Sequence, residues 1–324
     1  MQKKWQVLAT IDIPEIGAEI LEKYCEVKIN KKDVTLSKEE IMAKLRNKHA
    51  LCCSAEDVIN AEVMDSGQNL KVIARYGVGY EKVDVEAATQ RGILVTYTPG
   101  VLTEAVAEMT WCLLLSLGRH LIEADRFVRI GKFKRSGPKA LLGVEMREKI
   151  LGIVGAGQIG TSVARKAKGF NMKILYSDIV KNNEIEKMGG KKIELDYLLA
   201  KSDLVTLHVS LTPETTYLIG ERELSLMKKT AYLINTSRGK VIDEAALVTA
   251  LEKEQIAGAA LDVYENEPEV TRELLGMPNV ILTPHIGSAT KETRDAMAIM
   301  MAKDCVAALK EQKPSHLVNP EVLA

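Results

Sequence analysis

A chain of 324 residues exceeds what one ordinary hydrophobic core organises, and 46% hydrophobic residues place it with globular rather than disordered proteins. Its 44 basic and 44 acidic residues cancel to a formal net charge of zero. That removes the general electrostatic reason to expect a nucleic acid or an anionic membrane as partner. The five cysteines, Cys25, Cys52, Cys53, Cys112 and Cys305, form no CxxC and cannot all pair; they read as buried free thiols of a reducing, cytoplasmic environment, and no metal site is expected.

The N-terminal Met1-Gln-Lys-Lys-Trp5 leads straight into a strand, with neither the apolar core nor the cleavage pattern of a signal peptide. The longest apolar stretch, around Trp111 to Leu117, is too short to span a bilayer. Residues 7–11 are predicted as the first strand, and 27–29, 50–53, 72–74 and 93–96 follow, with helical patterns between them. Alternating strand and helix predicts parallel sheets covered on both faces.

At Thr103 the rhythm changes. Thr103 is expected to cap a helix that opens with Glu104 and runs to Leu117, apolar on most sides and so buried between domains or subunits. Residues 120–148 are charged and irregular, an excursion from the fold. A second series predicts strands at 150–154, 173–176, 204–207, 231–234, 259–261 and 280–283, a sheet of about six. From Lys291 the chain becomes one amphipathic helix carrying Met297, Ile299, Met300 and Cys305, then a polar tail with Pro314 and Pro320. The expected organisation is α/β, with residues 101–290 as one domain inserted into another built from 1–100 and 291–324.

Gly155-Ala-Gly157-Gln-Ile-Gly160 follows a strand and precedes a helix. A GxGxxG alone is a weak signal, but here Asp178 ends the next strand 18 positions after Gly160. Gly155 permits the tight turn, Gly157 the approach of a pyrophosphate, and Gly160 the close packing of helix on sheet. The N–H groups of Gln158 and Ile159 then point at the anion from the positive end of the helix dipole. Asp178 would accept from the ribose hydroxyls and repel a 2′-phosphate, which predicts NAD rather than NADP.

Three further residues suit reduction of a 2-oxo acid, which needs a cation for the carboxylate and a proton donor kept protonated. Arg238, in Ile234-Asn-Thr-Ser-Arg-Gly239, lies just past a strand end, where open α/β sheets bind ligands, and a guanidinium there grips a carboxylate with two parallel bonds. His285 follows Pro284 past another strand end, and His208 competes with it for the proton-donor role; His49, His120 and His316 read as structural or surface. Glu267, before Pro268, would favour the imidazolium if it stood beside His285, although Glu265 and Glu269 are its neighbours and read as solvated.

Together these motifs resemble the D-isomer-specific 2-hydroxyacid dehydrogenase family over nearly the whole chain. The resemblance rests on Arg75-Tyr-Gly-Val-Gly-Tyr-Glu-Lys-Val-Asp84, Gly100-Val-Leu-Thr103, the GxGxxG, Asn235-Thr-Ser-Arg-Gly-Lys-Val-Ile-Asp243, Leu261-Asp-Val-Tyr-Glu-Asn-Glu-Pro268 and Pro284-His-Ile-Gly-Ser288. It implies a Rossmann-type NAD-binding domain inserted into a smaller flavodoxin-like substrate domain. It implies Arg238, Glu267 and His285 as the catalytic trio, with His285 preferred to His208. It implies the backbone N–H groups of Val78 and Gly79 as carboxylate holders and Asp262 as a contact of the nicotinamide carboxamide. It further implies Thr103, His208, Thr236, Ser237, His285, Gly287 and Ser288 near the cofactor, and a homodimer with the helix after Thr103 and the following excursion at its interface.

Within that family the Gly-Val-Leu-Thr-Glu run and the Val-Asn-Pro tail look most like glyoxylate and hydroxypyruvate reductases. Where the NADP-using members of that branch carry Ser-Arg, this chain has Asp178-Ile179. The tryptophan that many of them place in the excursion is missing from 133–142, Ser210 replaces a usual proline, and 142–146 looks more like phosphoglycerate dehydrogenases. Those enzymes carry a phosphate-binding arginine where this chain has Cys53, and formate dehydrogenases carry Gln where it has Glu267. The resulting expectation is an NAD-dependent oxidoreductase acting on carbon 2 of a small acid, glyoxylate or hydroxypyruvate. Phosphoglycerate or phosphite oxidation and an NAD-sensing co-repressor role are the alternatives.

Overall fold

The computed structural model describes residues 4–32, 34–135 and 137–323. Residues 1–3 of the N-terminal stretch and Ser136 of the 133–142 segment lie outside the described residues. The chain divides into two compact units, one taking in the chain up to Leu102 and again from Ala289, the other running Thr103–Ser288.

In the first unit, short buried runs form the strands β1 (Trp5–Ala9), β2 (Cys25–Ile29), β3 (Ala50–Cys53), β4 (Val72–Arg75) and β5 (Leu94–Thr96). They pair in parallel in the order β2-β1-β3-β4-β5, the flavodoxin-like order. Val7 lies opposite both Val27 and Ala50, and Ile73 opposite Leu51 and Val95, so the central strands are apolar on both faces, as crossover helices require. The helix starts are chemically marked: Ser37 and Glu40 make a reciprocal capping box, and Asp84 accepts from Ala87 N–H at 2.8 Å.

The helix Lys291–Leu309 buries Met297, Ala298, Met301, Ala302, Asp304 and Cys305, while Ile299 and Met300 are half-buried, so it is less amphipathic than expected. Asp304 is buried because it accepts from Ser315 N–H at 2.8 Å and lies 2.7 Å from His316 Nδ1. The expected polar tail is likewise built into the fold. Leu317 bridges Thr96 in antiparallel register, and the fully buried Asn319 accepts from Val95 N–H at 2.8 Å while donating to Ile93 O and Thr89 Oγ1. Asn319 thus supplies the hydrogen bonds that β5 lacks on its open edge.

The second unit holds a parallel sheet in the order β12-β11-β10-β9-β6-β7-β8, with seven strands among the described residues instead of six. Its strands are β6 (Ile150–Val154), β7 (Lys173–Ser177), β8 (Lys191–Lys192), β9 (Leu204–Leu207), β10 (Tyr232–Asn235), β11 (Gly258–Leu261) and β12 (Val280–Leu282). The strand missed from the sequence is β8, two exposed lysines at the sheet edge that carry no apolar signal. The order reverses between β6 and β9, which creates the crevice where doubly wound sheets bind ligands.

Thr103 is the first residue of the helix Thr103–Gly118, not its cap, and its hydroxyl lies 3.3 Å from Gln158 Oε1. This helix packs against β10, β11 and the helix Gln158–Ala167 of its own unit. Trp111 stacks on Phe170 at 4.7 Å and donates its ring N–H to Val163 O. The excursion is not wholly irregular: Leu121–Arg129 is a helix with no buried residue. No single helix among the described residues is long and apolar enough to cross a membrane. Cys112 is exposed, against expectation; the other four thiols are buried.

Replacing Asn319 with Ala leaves Val95 N–H and Ile93 C=O buried without partners. The expected loss is about 2–3 kcal/mol of stability, read by chemical denaturation. A loss under about 0.5 kcal/mol, the range of ordinary surface substitutions, would show that the tail does not secure β5.

Candidate active site

Strand β6 runs into the glycine loop, and backbone geometry explains each glycine. Gly155 has φ +92, and a Cβ there would stand 2.6 Å from the backbone of His208 and Val209. A Cβ at Gly160 would stand 2.2 Å from Gly155 O, whereas one at Gly157 would meet nothing within 4 Å, leaving an open cradle over the helix start. The Gln158–Ala167 helix begins without a side-chain cap, so the first-turn N–H groups of Gln158 and Ile159 remain for an anion. Asp178, past β7, accepts from Ala156 N–H at 2.6 Å through one oxygen and from Val180 N–H at 2.9 Å through the other. It therefore ties the loop to the next strand end. An open cradle, uncapped N–H groups and a carboxylate at this spacing fit a dinucleotide.

Past β10, Asn235 is buried and folds the next loop onto itself. It donates to Arg238 O at 2.9 Å and accepts from Ser237 N–H and Ser237 Oγ at 3.0 and 2.8 Å. This holds half-buried Arg238 at the sheet edge, with Nη1 donating to Ser237 O at 2.7 Å. Thr236 lies 2.9 Å from Thr110 Oγ1 and is buried with it; Ser288 is half-buried at the end of the unit.

Past β11 and β12 two loops meet. Glu267 Oε2 lies 2.9 Å from His285 Nδ1, and Glu267 Oε1 accepts from Tyr264 N–H at 2.9 Å. A carboxylate can only accept, so Nδ1 carries the hydrogen and Nε2 is left for a substrate. The peptide linking Glu267 to Pro268 is cis. His285 itself has φ +53, a left-handed conformation that non-glycine residues hold only when their surroundings impose it. Asp262 imposes it: one oxygen accepts from Thr283 Oγ1 at 2.7 Å and Ile286 N–H at 2.9 Å, the other from Gly287 N–H at 2.7 Å. Asp262, expected to face a carboxamide, also braces the His285 loop, with Oδ2 accepting only one of these three bonds. Glu265 is not simply solvated, since it is half-buried and accepts from Tyr217 OH at 2.6 Å; Glu269 is exposed.

In the first unit, the N–H groups of Val78 and Gly79 donate to nothing among the described residues. The turn is held from below by Arg75, 1% exposed, which donates to Gly79 O at 2.8 Å and to Ser54 O. Cys53 lies 3.8 Å from the same guanidinium, and burial pushes its thiol up to about 12, so it is no nucleophile. Sequence reasoning assigned no role to Asn235 or Arg75, whose polar side chains give no sign of their burial.

His208 is excluded as the proton donor. Its Nδ1 is sealed from solvent without a hydrogen-bond partner, Nε2 lies 2.9 Å from Thr206 Oγ1, and desolvation pushes the ring down to about 3.

Residues 111–287 match the family described as D-isomer specific 2-hydroxyacid dehydrogenase, NAD binding domain. The chain is 46% identical over 325 residues to the glyoxylate reductase of Thermococcus litoralis, covering 99% of this chain and 98% of that protein. It is 48% identical over 323 residues to that of Thermofilum pendens, covering 98% and 95%. A crystal structure of a Thermus thermophilus protein superposes with a TM-score of 0.92 at 40% identity, covering 97% of this chain and 99% of that one. An NADPH-dependent glyoxylate/hydroxypyruvate reductase from Sinorhizobium meliloti, solved with NADP and malonate, gives 0.87 at 33%, covering 98% and 97%.

His208, half-buried with its Nδ1 sealed from solvent, is held neutral by desolvation, which predicts an acid-side loss of stability. Between pH 6.5 and about 3 the unfolded ring binds a proton that the folded ring refuses. Its contribution is therefore full above pH 6.5 and falls with pH, by at most about 1.4 kcal/mol per pH unit. Unfolding curves of wild type and His208→Gln across pH 4–7 check this; parallel pH dependences would refute it.

Proposed function

The chain belongs to the D-isomer-specific 2-hydroxyacid dehydrogenase family, and we propose that it reduces glyoxylate, with hydroxypyruvate as the second substrate, using NADH in preference to NADPH. The observation that carries the reading is the Glu267–His285 contact at 2.9 Å, at the same strand edge as Arg238 and the glycine loop. The bound nicotinamide would supply the hydride. In this proposal Arg238 holds the substrate carboxylate. His285 delivers its Nε2 proton to the oxygen on carbon 2 as that carbon is reduced, and Glu267 steadies the imidazolium before the transfer. Asp262 keeps the ring at its height above β12. Gly155, Gly157 and the Gln158–Ile159 N–H groups would hold the nucleotide's pyrophosphate, and Thr103, His208, Thr236, Ser237, Gly287 and Ser288 would complete its site.

The preference for NADH rests on Asp178. A 2′-phosphate would meet its charge; Ile179 and Val180 after it are exposed apolar residues, and of the two nearby cations Lys181 pairs with Glu186 at 2.8 Å while Lys192 donates to Ile179 O at 3.1 Å. The working form is proposed to be a homodimer of the cytosol, where five unpaired thiols stay reduced. Leu121, Ile122, Val128, Ile130 and Phe133 are each more than half exposed on and just after one helix, an apolar patch of the kind that interfaces cover.

Initial rates against glyoxylate, hydroxypyruvate, pyruvate, longer 2-oxo acids and phosphohydroxypyruvate, with NADH and NADPH in parallel, test the reading. The expected result is fastest turnover of glyoxylate with NADH and a loss of about 10²–10⁴ in kcat for His285→Ala. Tight NADH binding without turnover of any of these acids would overturn it. For the oligomer, Ile122→Glu combined with Val128→Glu should convert a dimer to a monomer in sedimentation velocity; an unchanged sedimentation coefficient would refute the interface.

A further inference from the structure

Glu244 is the first residue of the helix Glu244–Glu252, a position where a glutamate ordinarily faces water, yet it is only 4% exposed. Among the described residues no lysine or arginine pairs with it. A carboxylate removed from water without a cation is costly unless donors surround it. Here the positive end of its own helix is one source of compensation. The others are two hydrogen bonds from outside the helix: Oε1 accepts from Glu265 N–H at 2.7 Å, and Oε2 accepts from the Thr271 hydroxyl.

Those two donors stand on either side of Glu267. One carboxylate therefore staples both ends of the short loop that presents Glu267 to His285. The backbone beneath agrees with this. A Cβ at Gly239 would fall 1.8 Å from the Tyr264 carbonyl carbon, so the segment after Arg238 and the segment before Glu267 lie directly on each other. Tyr264 N–H fixes the other oxygen of Glu267, and Tyr264 OH donates to Thr283 O at 2.9 Å, two residues before the histidine.

We propose that Glu244 is a positioning residue for catalysis, setting Glu267 against His285 through the two ends of the 265–271 loop. The inference rests on the proposed roles of Glu267 and His285. Its test is a double-mutant cycle of Glu244→Ala with Glu267→Gln, together with Glu244→Gln and Thr271→Val, reading kcat, KM and the NADH Kd by fluorescence. Glu244→Ala should lower kcat about tenfold while the NADH Kd stays within about twofold, and Thr271→Val should lower kcat less. Glu244→Gln should recover most of the rate, because its carbonyl still accepts from Glu265 N–H and its NH2 can donate to the Thr271 oxygen. The double variant should be no slower than Glu267→Gln alone.

Additive losses, or a folded Glu244→Ala enzyme with wild-type kcat, would overturn the inference. If Glu244→Ala does not fold, wild-type kcat in Thr271→Val, or a Glu244→Gln enzyme that folds but is as slow as Glu267→Gln, would overturn it. Wild-type kcat in Glu267→Gln would instead bring down the catalytic reading itself, so the two failures are distinguishable.

Discussion

Asp262 sits where β11 ends, and its two oxygens accept three hydrogen bonds from the loop after β12. Much of the second unit's chemistry depends on that arrangement. The end of a parallel strand leaves backbone groups to be satisfied, and here a neighbouring strand's carboxylate satisfies the N–H groups of Ile286 and Gly287. The residue between Pro284 and Ile286 is thereby held at positive φ. That lifts the His285 ring to meet Glu267, which arrives from a loop otherwise unrelated in sequence. Without Asp262 the histidine would be free to relax toward an ordinary extended or helical backbone.

The same logic recurs along this edge of the sheet. Asn235 closes the loop after β10 on its own backbone, Asp178 ties the glycine loop after β6 to the end of β7, and Glu244 ties the loop after β11 to a helix start. Each is a polar side chain at the boundary of an element that satisfies backbone groups of a nearby loop. The geometry of the proposed site is a by-product of hydrogen-bond satisfaction at neighbouring strand ends, which is why side chains on these loops are not loosely held. In the first unit Arg75 does the equivalent for the Val78–Gly79 turn by donating to the carbonyls of Gly79 and Ser54.

The two histidines past strand ends show how environment separates equivalent-looking residues. His208 and His285 both follow strands, and spacing alone leaves them as competitors. The structure gives one a carboxylate and an accessible ring, and the other a sealed nitrogen with no charged partner. Desolvation then removes His208 from proton chemistry near neutral pH.

The sequence by itself determined the alternation of strand and helix, the two parallel sheets and the dinucleotide turn. These depend on local periodicity and on glycines at fixed short spacing, which act within a few residues of themselves. It did not disclose β8, whose two lysines lie at an edge and bury nothing, nor the helix Leu121–Arg129, whose apolar residues find no core within this chain. The partnership of Glu267 with His285, the burial of Glu244 and the locking of β5 by Asn319 were decided only by tertiary structure. Each joins residues 18 or more positions apart through loops. A polar side chain in a sequence does not reveal whether water or a buried backbone group will be its partner; that is settled when distant strand ends are brought side by side.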